Sequence, residues 1–375
     1  MMEGKSGKRS FSGFIEELSG ASFVASIASI LVGLLVGYLV LLSTNPSNAA
    51  QAFKALLRSG IADRRSMGQV LYFATPVMMT GLSVSFGNKT GLFNIGASGQ
   101  FIVGAYVAIL VGVRLTAVPG QFRWVIALLM AMFAGGIWGA LPGVLKSLRN
   151  VNEVISCIMM NYIGMYTVNF LITKTVFDPL KNQSLRVPTE ANVPKMGMDL
   201  VFRVGNQTSS ANGGIFIAVG VAVLAHIILE RTKFGFELKA CGFNKDAAKY
   251  AGINERKCIV ASMAIAGAMS GLGGALLYLA GSGKGIDVID VMAQEGFNGI
   301  PVALLALNNP IGAVFSSLFI SYLNVGGFNM QLYNFAPQVI EIIISIIIYF
   351  SAFSLVLKTW IRNLVSKKNK SRVVE

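Results

Sequence analysis

One glycine-rich stretch has the residue types of a phosphate-binding loop. Residues 281–285 read GSGKG, and a lysine in such a loop contacts the phosphates of a bound nucleotide. The pattern is incomplete, because Tyr278 stands where the first glycine is required and Gly285 stands where serine or threonine binds magnesium. The chain also shows neither a nucleophile elbow nor a pair of catalytic carboxylates. The sequence therefore predicts no ATP site and no enzyme active site on this chain.

Three ionisable side chains, Glu153, Glu341 and His226, fall in or beside apolar runs. An acid at membrane depth is typical of ion or proton coupling, but a proton relay normally shows several such groups along one path. Glu153 and Glu341 each stand near the end of an apolar run, and we interpret His226 as a hydrogen-bonded packing residue. The three cysteines fit neither a disulfide framework nor a metal site. We expect no metal and no cofactor.

The composition points to a membrane protein. Of 375 residues, 54% are hydrophobic and only 13% are charged, whereas a soluble domain carries about 25% charged residues. Although the net charge of +14 is compatible with nucleic-acid binding, the basic residues cluster at the ends of apolar runs, so we expect membrane lipid and no nucleic acid as a partner. The predicted fold class is an all-α polytopic membrane protein.

Apolar runs along the chain predict about ten transmembrane helices. The eighth and ninth runs are each short, so a count of eight with a re-entrant hairpin is the alternative. Gly33 and Gly37 in the first run permit close helix packing, and a basic, apolar segment at 49–67 predicts a helix lying on the membrane surface. The predicted spans are 21–42, 69–86, 101–118, 124–145, 152–173, 214–229, 258–280, 295–307, 311–325 and 338–357.

An even number of spans places both termini on one side. That side then holds 19 of the 31 lysines and arginines, and an excess of positive charge marks the cytoplasm. We therefore expect a cytoplasmic N-terminal segment at 1–19, a transmembrane domain at 20–357 and a basic cytoplasmic tail at 358–375. Within the domain, the polar loop 174–213 is expected outside and the basic stretch 230–257 inside.

Two glycine- and amide-containing stretches, 87–100 and 281–298, interrupt apolar sequence in opposite halves of the chain. Irregular backbone at membrane depth is tolerated only inside protein or along a cavity, and paired broken helices indicate a substrate pathway in transporters. The alternative is that the glycines simply allow tight packing. We expect Asn94 and Gln100 to line a pathway, because an amide in hydrocarbon needs a partner or water.

The basic stretch 230–257 contains a predicted short capped helix. Asn244 is a good N-cap, residues 245–251 contain no helix breaker, and Gly252 can adopt the left-handed conformation that ends a helix. This helix either docks on a soluble partner or belongs to an ordinary cytoplasmic loop. One of its sides is apolar and is formed by Phe243, Ala247, Tyr250 and Ala251.

Five motifs in the same order resemble the permease subunits of bacterial ABC importers, the group that includes sugar and branched-chain amino-acid permeases. The resemblance runs from about residue 69 to 337 and is nearest to the nucleoside (purine/guanosine-type) branch. Ala97-Ser98, where a small residue and an acid are more usual, and Pro301, in place of alanine, depart from the pattern. The motifs are GLFNIGASGQ at 91–100, NEVI at 152–155 with Asn161-Tyr162, TKFGF at 232–236, AAKYAGI at 247–253 and GFNGIPVALL at 296–305.

The resemblance implies a transporter subunit rather than an enzyme, located in the bacterial cytoplasmic membrane. Its implied partners are ATPase subunits that hydrolyse ATP, a second and different permease subunit, and an external substrate-binding lipoprotein. It also implies that the helix at 244–251 is a coupling helix in a groove of the ATPase. The expected coupling residues are Phe243, Asn244, Ala247, Ala248, Tyr250 and Gly252. The expected pathway residues are Phe93, Asn94, Gln100, Asn161 and Asn298.

Nucleosides are the substrate that the resemblance favours. Simple sugars or branched-chain amino acids are the alternative within the same class. An ion-coupled secondary transporter is a further alternative, and it requires essential buried acids.

Overall fold

A computed structural model of the chain describes residues 30–352, apart from the side chains of residues 348, 351 and 352. The predicted N-terminal segment 1–19, the start of the first predicted span and the basic tail 358–375 lie outside the described residues.

Helices make up most of the described chain, as predicted. Short 3-10 turns at Ser59–Ile61, Thr189–Ala191 and Gln331–Tyr333 accompany them. The helices are α1 (Ile30–Thr44), α2 (Ala49–Arg58), α3 (Arg64–Lys89), α4 (Ala97–Arg114), α5 (Gly120–Arg149), α6 (Glu153–Thr175), α7 (Met198–Val201), α8 (Gly214–Arg231), α9 (Lys233–Phe243), α10 (Lys245–Tyr250), α11 (Glu255–Tyr278), α12 (Gln294–Phe297), α13 (Gly299–Leu305), α14 (Pro310–Met330) and α15 (Pro337–Ala352).

Four two-residue strands lie in the polar segment between α6 and α8. They form two small antiparallel hairpins, β1 (Phe177–Asp178) with β2 (Gln183–Ser184) and β3 (Arg203–Val204) with β4 (Gln207–Thr208). The register pairs Phe177 with Ser184 and Arg203 with Thr208. The segment between α6 and α8 is therefore irregular, with local turns and the short helix α7.

The described chain divides into two compact units, residues 54–330 and residues 30–53 with 331–352. In the described part of the second unit, Gly33 and Gly37 of α1 lie against Ile347 and Ile343 of α15. A Cβ atom at Gly33 would lie 2.7 Å from the Cα of Ile347, so these glycines permit the close helix contact that their spacing predicts.

Among the described residues, seven helices are long and apolar enough to cross a membrane, and the described parts of α1 and α15 are shorter apolar helices. This supports a polytopic membrane protein but does not confirm the count of ten. The predicted span 295–307 is not one helix. It is divided at Asn298 into α12 and α13, which together cover about 18 Å of a hydrocarbon core about 30 Å thick. The predicted span 311–325 is longer than expected, because α14 runs for 21 residues.

The predicted surface helix at 49–67 is also divided. α2 ends at Arg58, and α3 begins at Arg64, where the side chain of Asp63 accepts a hydrogen bond from the backbone N–H of Ser66 at 2.6 Å. Gly60 in the intervening turn packs directly on the ring of Tyr322. A new N-cap and a tertiary contact that requires glycine therefore replace the continuous helix.

The helices α5 and α11 cross with their backbones in contact. A Cβ atom at Gly135 would lie 2.7 Å from the Cα of Gly271, and one at Gly267 would lie 2.9 Å from the Cα of Gly139. Because the two backbones touch, any side chain at these positions forces the helices apart. The four-residue glycine spacing in α5 thus packs against a similar glycine face in α11.

We expect Gly267→Val to destabilise the protein, because overpacking a close contact costs about 1–3 kcal/mol. The thermal unfolding midpoint in detergent should fall. Gly220→Val in α8 is the matched control, since no atom lies within 4 Å of a Cβ built at that glycine. Equal midpoints for the two variants would contradict the glycine-dependent crossing.

Candidate functional site

The basic stretch 230–257 folds into the end of α8, two short helices and the start of α11. α10 is the short helix that the sequence predicts, whereas the 11 residues of α9 were not predicted as a helix. Thr232 begins α9, since its side-chain oxygen accepts a hydrogen bond from the N–H of Gly235 at 3.0 Å. The stretch is therefore a compact helical segment rather than an open loop.

Both ends of α10 are capped as the sequence predicts. The side-chain oxygen of Asn244 accepts hydrogen bonds from the N–H groups of Asp246 at 3.1 Å and Ala247 at 3.0 Å. At the other end Gly252 has φ +80°, its N–H donates to the carbonyl of Lys249, and the next N–H donates to the carbonyl of Ala248. This pair of bonds is the Schellman motif, which makes a six-residue helix stable in this position.

The predicted docking residues face different ways. Ala248 is buried against its own chain, whereas the side chains of Phe243 and Tyr250 are 89% and 95% exposed. Ala247 is exposed as well. Ala248 therefore anchors the helix, and the two aromatic rings form the face that is free to contact another molecule.

α9 is held against the end of α8. Gly235 lies on the backbone of Ile228 and Leu229, where a side chain would not fit, and Leu238 is fully buried. Lys239 donates to the carboxylate of Glu230 at 2.9 Å. These contacts fix α9, and hence α10, relative to the membrane helix that precedes them.

The other end of α9 touches the segment that follows α3. A Cβ atom at Gly242 would lie 2.6 Å from the carbonyl carbon of Thr90, and Gly91, at φ +74°, packs in return on Gly242. The hydroxyl of Thr90 also hydrogen-bonds the hydroxyl of Ser262 in α11. We missed the Gly91–Gly242 contact from the sequence, since single glycines 151 residues apart give no local signal.

A cavity of about 880 Å³ opens beside α10. Its walls come from the end of α5, from α9 and α10, from the start of α11 and from residues 90–92. The basic side chains that line it are those of Lys146, Arg149, Lys245 and Arg256.

The first interrupted stretch contains a buried pair of amides. The side-chain N–H₂ of Asn94 donates to the oxygen of Gln100 at 2.9 Å, and the N–H₂ of Gln100 donates to the oxygen of Asn94 at 3.0 Å. Asn94 also donates to the hydroxyl of Ser83 at 2.9 Å and accepts from the N–H of Gly96 at 3.1 Å. Both amides are at most 1% exposed. All four hydrogen-bonding positions of the Asn94 amide are therefore used inside the protein.

Asn161 on α6 joins this network. Its oxygen accepts from the N–H of Gly99 at 2.8 Å, and its N–H₂ donates to the carbonyl of Ile95 at 3.1 Å. Asn161 is 2% exposed. Asn94, Gln100 and Asn161, predicted as pathway residues, are thus brought together as buried supports of the irregular backbone between α3 and α4.

The two interrupted stretches meet, as paired broken segments in a transporter do. The hydroxyl of Ser98 donates to the carbonyl of Ala293 at 2.8 Å, and that of Thr80 donates to the carbonyl of Glu295 at 3.0 Å. A Cβ atom at Gly296 would lie 2.6 Å from the backbone nitrogen of Ser98. The start of α4 and the short helices α12 and α13 therefore form one packed unit.

The remaining two predicted pathway residues lie at the edge of this unit. Phe93 is half-buried and packs, together with Ile300, on a small cluster that includes Val84 and Ala303. Asn298 is also half-buried, at the junction of α12 and α13. These two side chains are the predicted pathway residues that reach the surface.

The three ionisable residues near apolar runs have different surroundings. Glu153 accepts a hydrogen bond from Lys146 at 2.5 Å at the start of α6. Glu341 is exposed on α15. The buried Nδ1 of His226 has no hydrogen-bond partner among the described residues.

Apolar helices with broken segments between them, packed around a buried polar network, define a membrane transport protein. The chain matches the family described as "Branched-chain amino acid transport system / permease component" over residues 66–352. It therefore belongs to this family, and it is a transporter subunit rather than an enzyme.

Named relatives cover almost the whole chain. The guanosine ABC transporter permease protein NupP of Bacillus subtilis is 36% identical over 329 residues, which is 88% of this chain and 92% of the relative. The nucleoside ABC transporter permease protein NupB of Lactococcus lactis is 31% identical over 88% of this chain and 91% of its own length. The glucose ABC transporter permease protein TsgB13 of Haloferax volcanii is 28% identical over 86% of this chain and 85% of its own length. No solved structure matches the chain significantly.

We expect Asn94→Leu and Gln100→Leu each to lower the thermal unfolding midpoint, because each breaks both hydrogen bonds between the two buried amides and leaves polar atoms of the other amide without these partners, at a cost of about 1–3 kcal/mol. The double variant should lose less stability than the sum of the single losses, since both polar groups are then removed. Asn206→Leu, in the exposed loop, is the control. Strictly additive losses would show that the two amides do not support each other.

Proposed function

We propose that this chain is the membrane-spanning subunit of an ABC importer that carries nucleosides across a bacterial cytoplasmic membrane. The observation that carries the proposal is the similarity to NupP and NupB, which extends over nearly nine-tenths of the chain. The printed names of both relatives state nucleoside or guanosine transport by an ABC system.

In this function, a separate ATPase supplies the energy and docks on α10. Its docking face includes the exposed rings of Phe243 and Tyr250, together with Ala247. Aromatic residues are common anchors of protein interfaces. α10 is held rigid by the caps at Asn244 and Gly252 and by the buried side chain of Ala248. It can therefore transmit a movement of the ATPase.

Movement of α10 reaches the membrane interior through α9. The Gly242–Gly91 contact joins α9 to the segment that carries Asn94, and Asn94 pairs with Gln100 at the start of α4. Because backbone touches backbone, no flexible side chain absorbs the displacement. ATP-driven motion thus changes the position of α4 and of the broken helices packed on it.

The substrate pathway runs along the edge where the broken segments meet. Phe93 and Asn298 face it, because they are the half-buried members of the predicted set. The pathway wall is supported by three buried amides, which hold the backbone of residues 91–100 in place: Asn94, Gln100 and Asn161. An aromatic ring and an amide suit the flat base and polar edge of a nucleoside.

The other partners are a second, different permease subunit and a substrate-binding lipoprotein. The excess of lysine and arginine supports a cytoplasmic position for both termini and for 230–257, with the loop 174–213 outside, where the lipoprotein would deliver substrate. The second permease completes the pathway, which one chain lines on one side only.

A sugar importer is the second candidate, because the relative TsgB13 is printed as a glucose permease. The two candidates share fold, partners and energy source. They differ only in the molecule that the pathway accepts.

In proteoliposomes containing the complete complex, we expect ATP-dependent uptake of labelled guanosine. Unlabelled inosine should compete, whereas glucose, ribose and leucine should not, because they lack a base to stack on an aromatic ring. Competition by glucose would favour the sugar importer. Uptake that needs an ion gradient and no ATP would exclude an ABC importer.

We expect Gly252→Pro to uncouple ATP hydrolysis from uptake without preventing membrane insertion, because proline cannot adopt the left-handed conformation that caps α10. Ala247→Asp should act similarly by placing a charge on the docking face. Gly252→Asn is the matched control, since asparagine tolerates this conformation. Normal substrate-stimulated hydrolysis and uptake in both Gly252→Pro and Ala247→Asp would refute the coupling role.

A further inference from the structure

The cavity of about 880 Å³ beside α10 is not used by the mechanism above. We call it the basic pocket and define it by Lys146, Arg149, Lys245 and Arg256. Its volume is within the range of pockets that hold drug-sized ligands, so several side chains of another protein fit inside.

The charges of the basic pocket are not balanced within the described chain. Glu255 is the acid among the lining residues, and Lys146 is paired with Glu153 at 2.5 Å. Among the described residues, Arg149, Lys245 and Arg256 form no ion pair. A concave surface lined by one sign of charge concentrates the opposite charge, so the pocket attracts an anion.

Two features link the occupant of the pocket to the partner of α10. Lys245 belongs to both α10 and the pocket wall, and the exposed ring of Phe243 also lines the pocket. Other walls are polar, with Ser147, Asn150 and Asn244 among them. A molecule that covers α10 therefore also covers the mouth of the pocket.

We propose that the basic pocket receives acidic side chains of the ATPase subunit that docks on α10. This inference rests on the proposed function and adds the chemistry of the partner surface: aspartate or glutamate beside a hydrophobic contact for Phe243 and Tyr250. Arginine binds carboxylates in a two-pronged geometry, so Arg149 and Arg256 set the register of docking.

The test measures binding of the ATPase to the permease complex in lipid nanodiscs. The double variant Arg149→Glu/Arg256→Glu should weaken binding about tenfold or more and flatten its salt dependence, because attraction becomes repulsion. The matched control is Arg231→Glu/Lys257→Glu. It makes the same change in charge at two exposed residues of the stretch 230–257 that do not line the pocket. The control should change binding by about twofold at most.

Varying the lipid of the nanodiscs distinguishes two possible occupants of the pocket, acidic side chains of the ATPase and an anionic lipid headgroup. The loss of ATPase binding in the charge-reversal variant should be the same in nanodiscs of phosphatidylcholine alone and in nanodiscs containing phosphatidylglycerol. A loss of binding found only with phosphatidylglycerol would assign the pocket to an anionic lipid. Equal losses of binding in the pocket variant and the control variant would show that only the net charge of the protein matters. Either result overturns the proposal.

If the charge-reversal variant fails to fold, Arg149→Gln/Arg256→Gln replaces it in the test. This variant removes charge without placing an acid at the end of α5, and it should weaken binding of the ATPase by a smaller factor. Unchanged binding by this variant would also overturn the proposal. If the unaltered complex binds no ATPase, the proposed function itself fails. If it binds normally and both pocket variants bind equally well, only the pocket inference fails.

Discussion

The irregular backbone between α3 and α4 imposes the constraint on which the rest of the larger unit depends. In an apolar helix bundle, backbone groups outside a helix must find hydrogen-bond partners within the protein. Asn94 and Asn161 supply them by binding the N–H groups of Gly96 and Gly99 and the carbonyl of Ile95. The same amides tie α3, α4 and α6 together, so the break is a fixed feature of the fold rather than a weak point.

Two backbone contacts, each made possible by glycine, join the break to neighbouring helices. Gly91 meets Gly242 on the side of α9, and Gly296 meets Ser98 on the side of α12. In both places two backbones are in contact, with hydrogen bonds close by at Thr90 and Ser98. Close-packed protein interiors transmit strain because they contain few voids and are hard to compress. The segment that carries the break is therefore in backbone contact with α9 on one side and with α12 on the other.

Local features of this chain were predictable from the sequence, and non-local ones were not. The caps at Asn244 and Gly252 depend on neighbouring residues alone, so their residue types predicted α10 correctly. The polarity of Asn94 and Gln100 showed only that each amide needs a partner. It could not show that each would find the other instead of water. The division of the predicted span 295–307 likewise depends on a distant contact, since Gly299 packs on the backbone of Thr80 and Gly81.

The basic stretch 230–257 carries two large aromatic side chains that are almost fully exposed. Phe243 and Tyr250 are large and exposed, while nearby Arg149 and Arg256 line a cavity without an acidic partner in the described chain. Natural proteins violate local rules mainly at functional sites, where another molecule completes the interaction. Since α10 is firmly capped, this exposure is built into the fold and does not result from fraying. The segment thus has a fixed backbone and an exposed aromatic surface, and this combination fits the docking role proposed above.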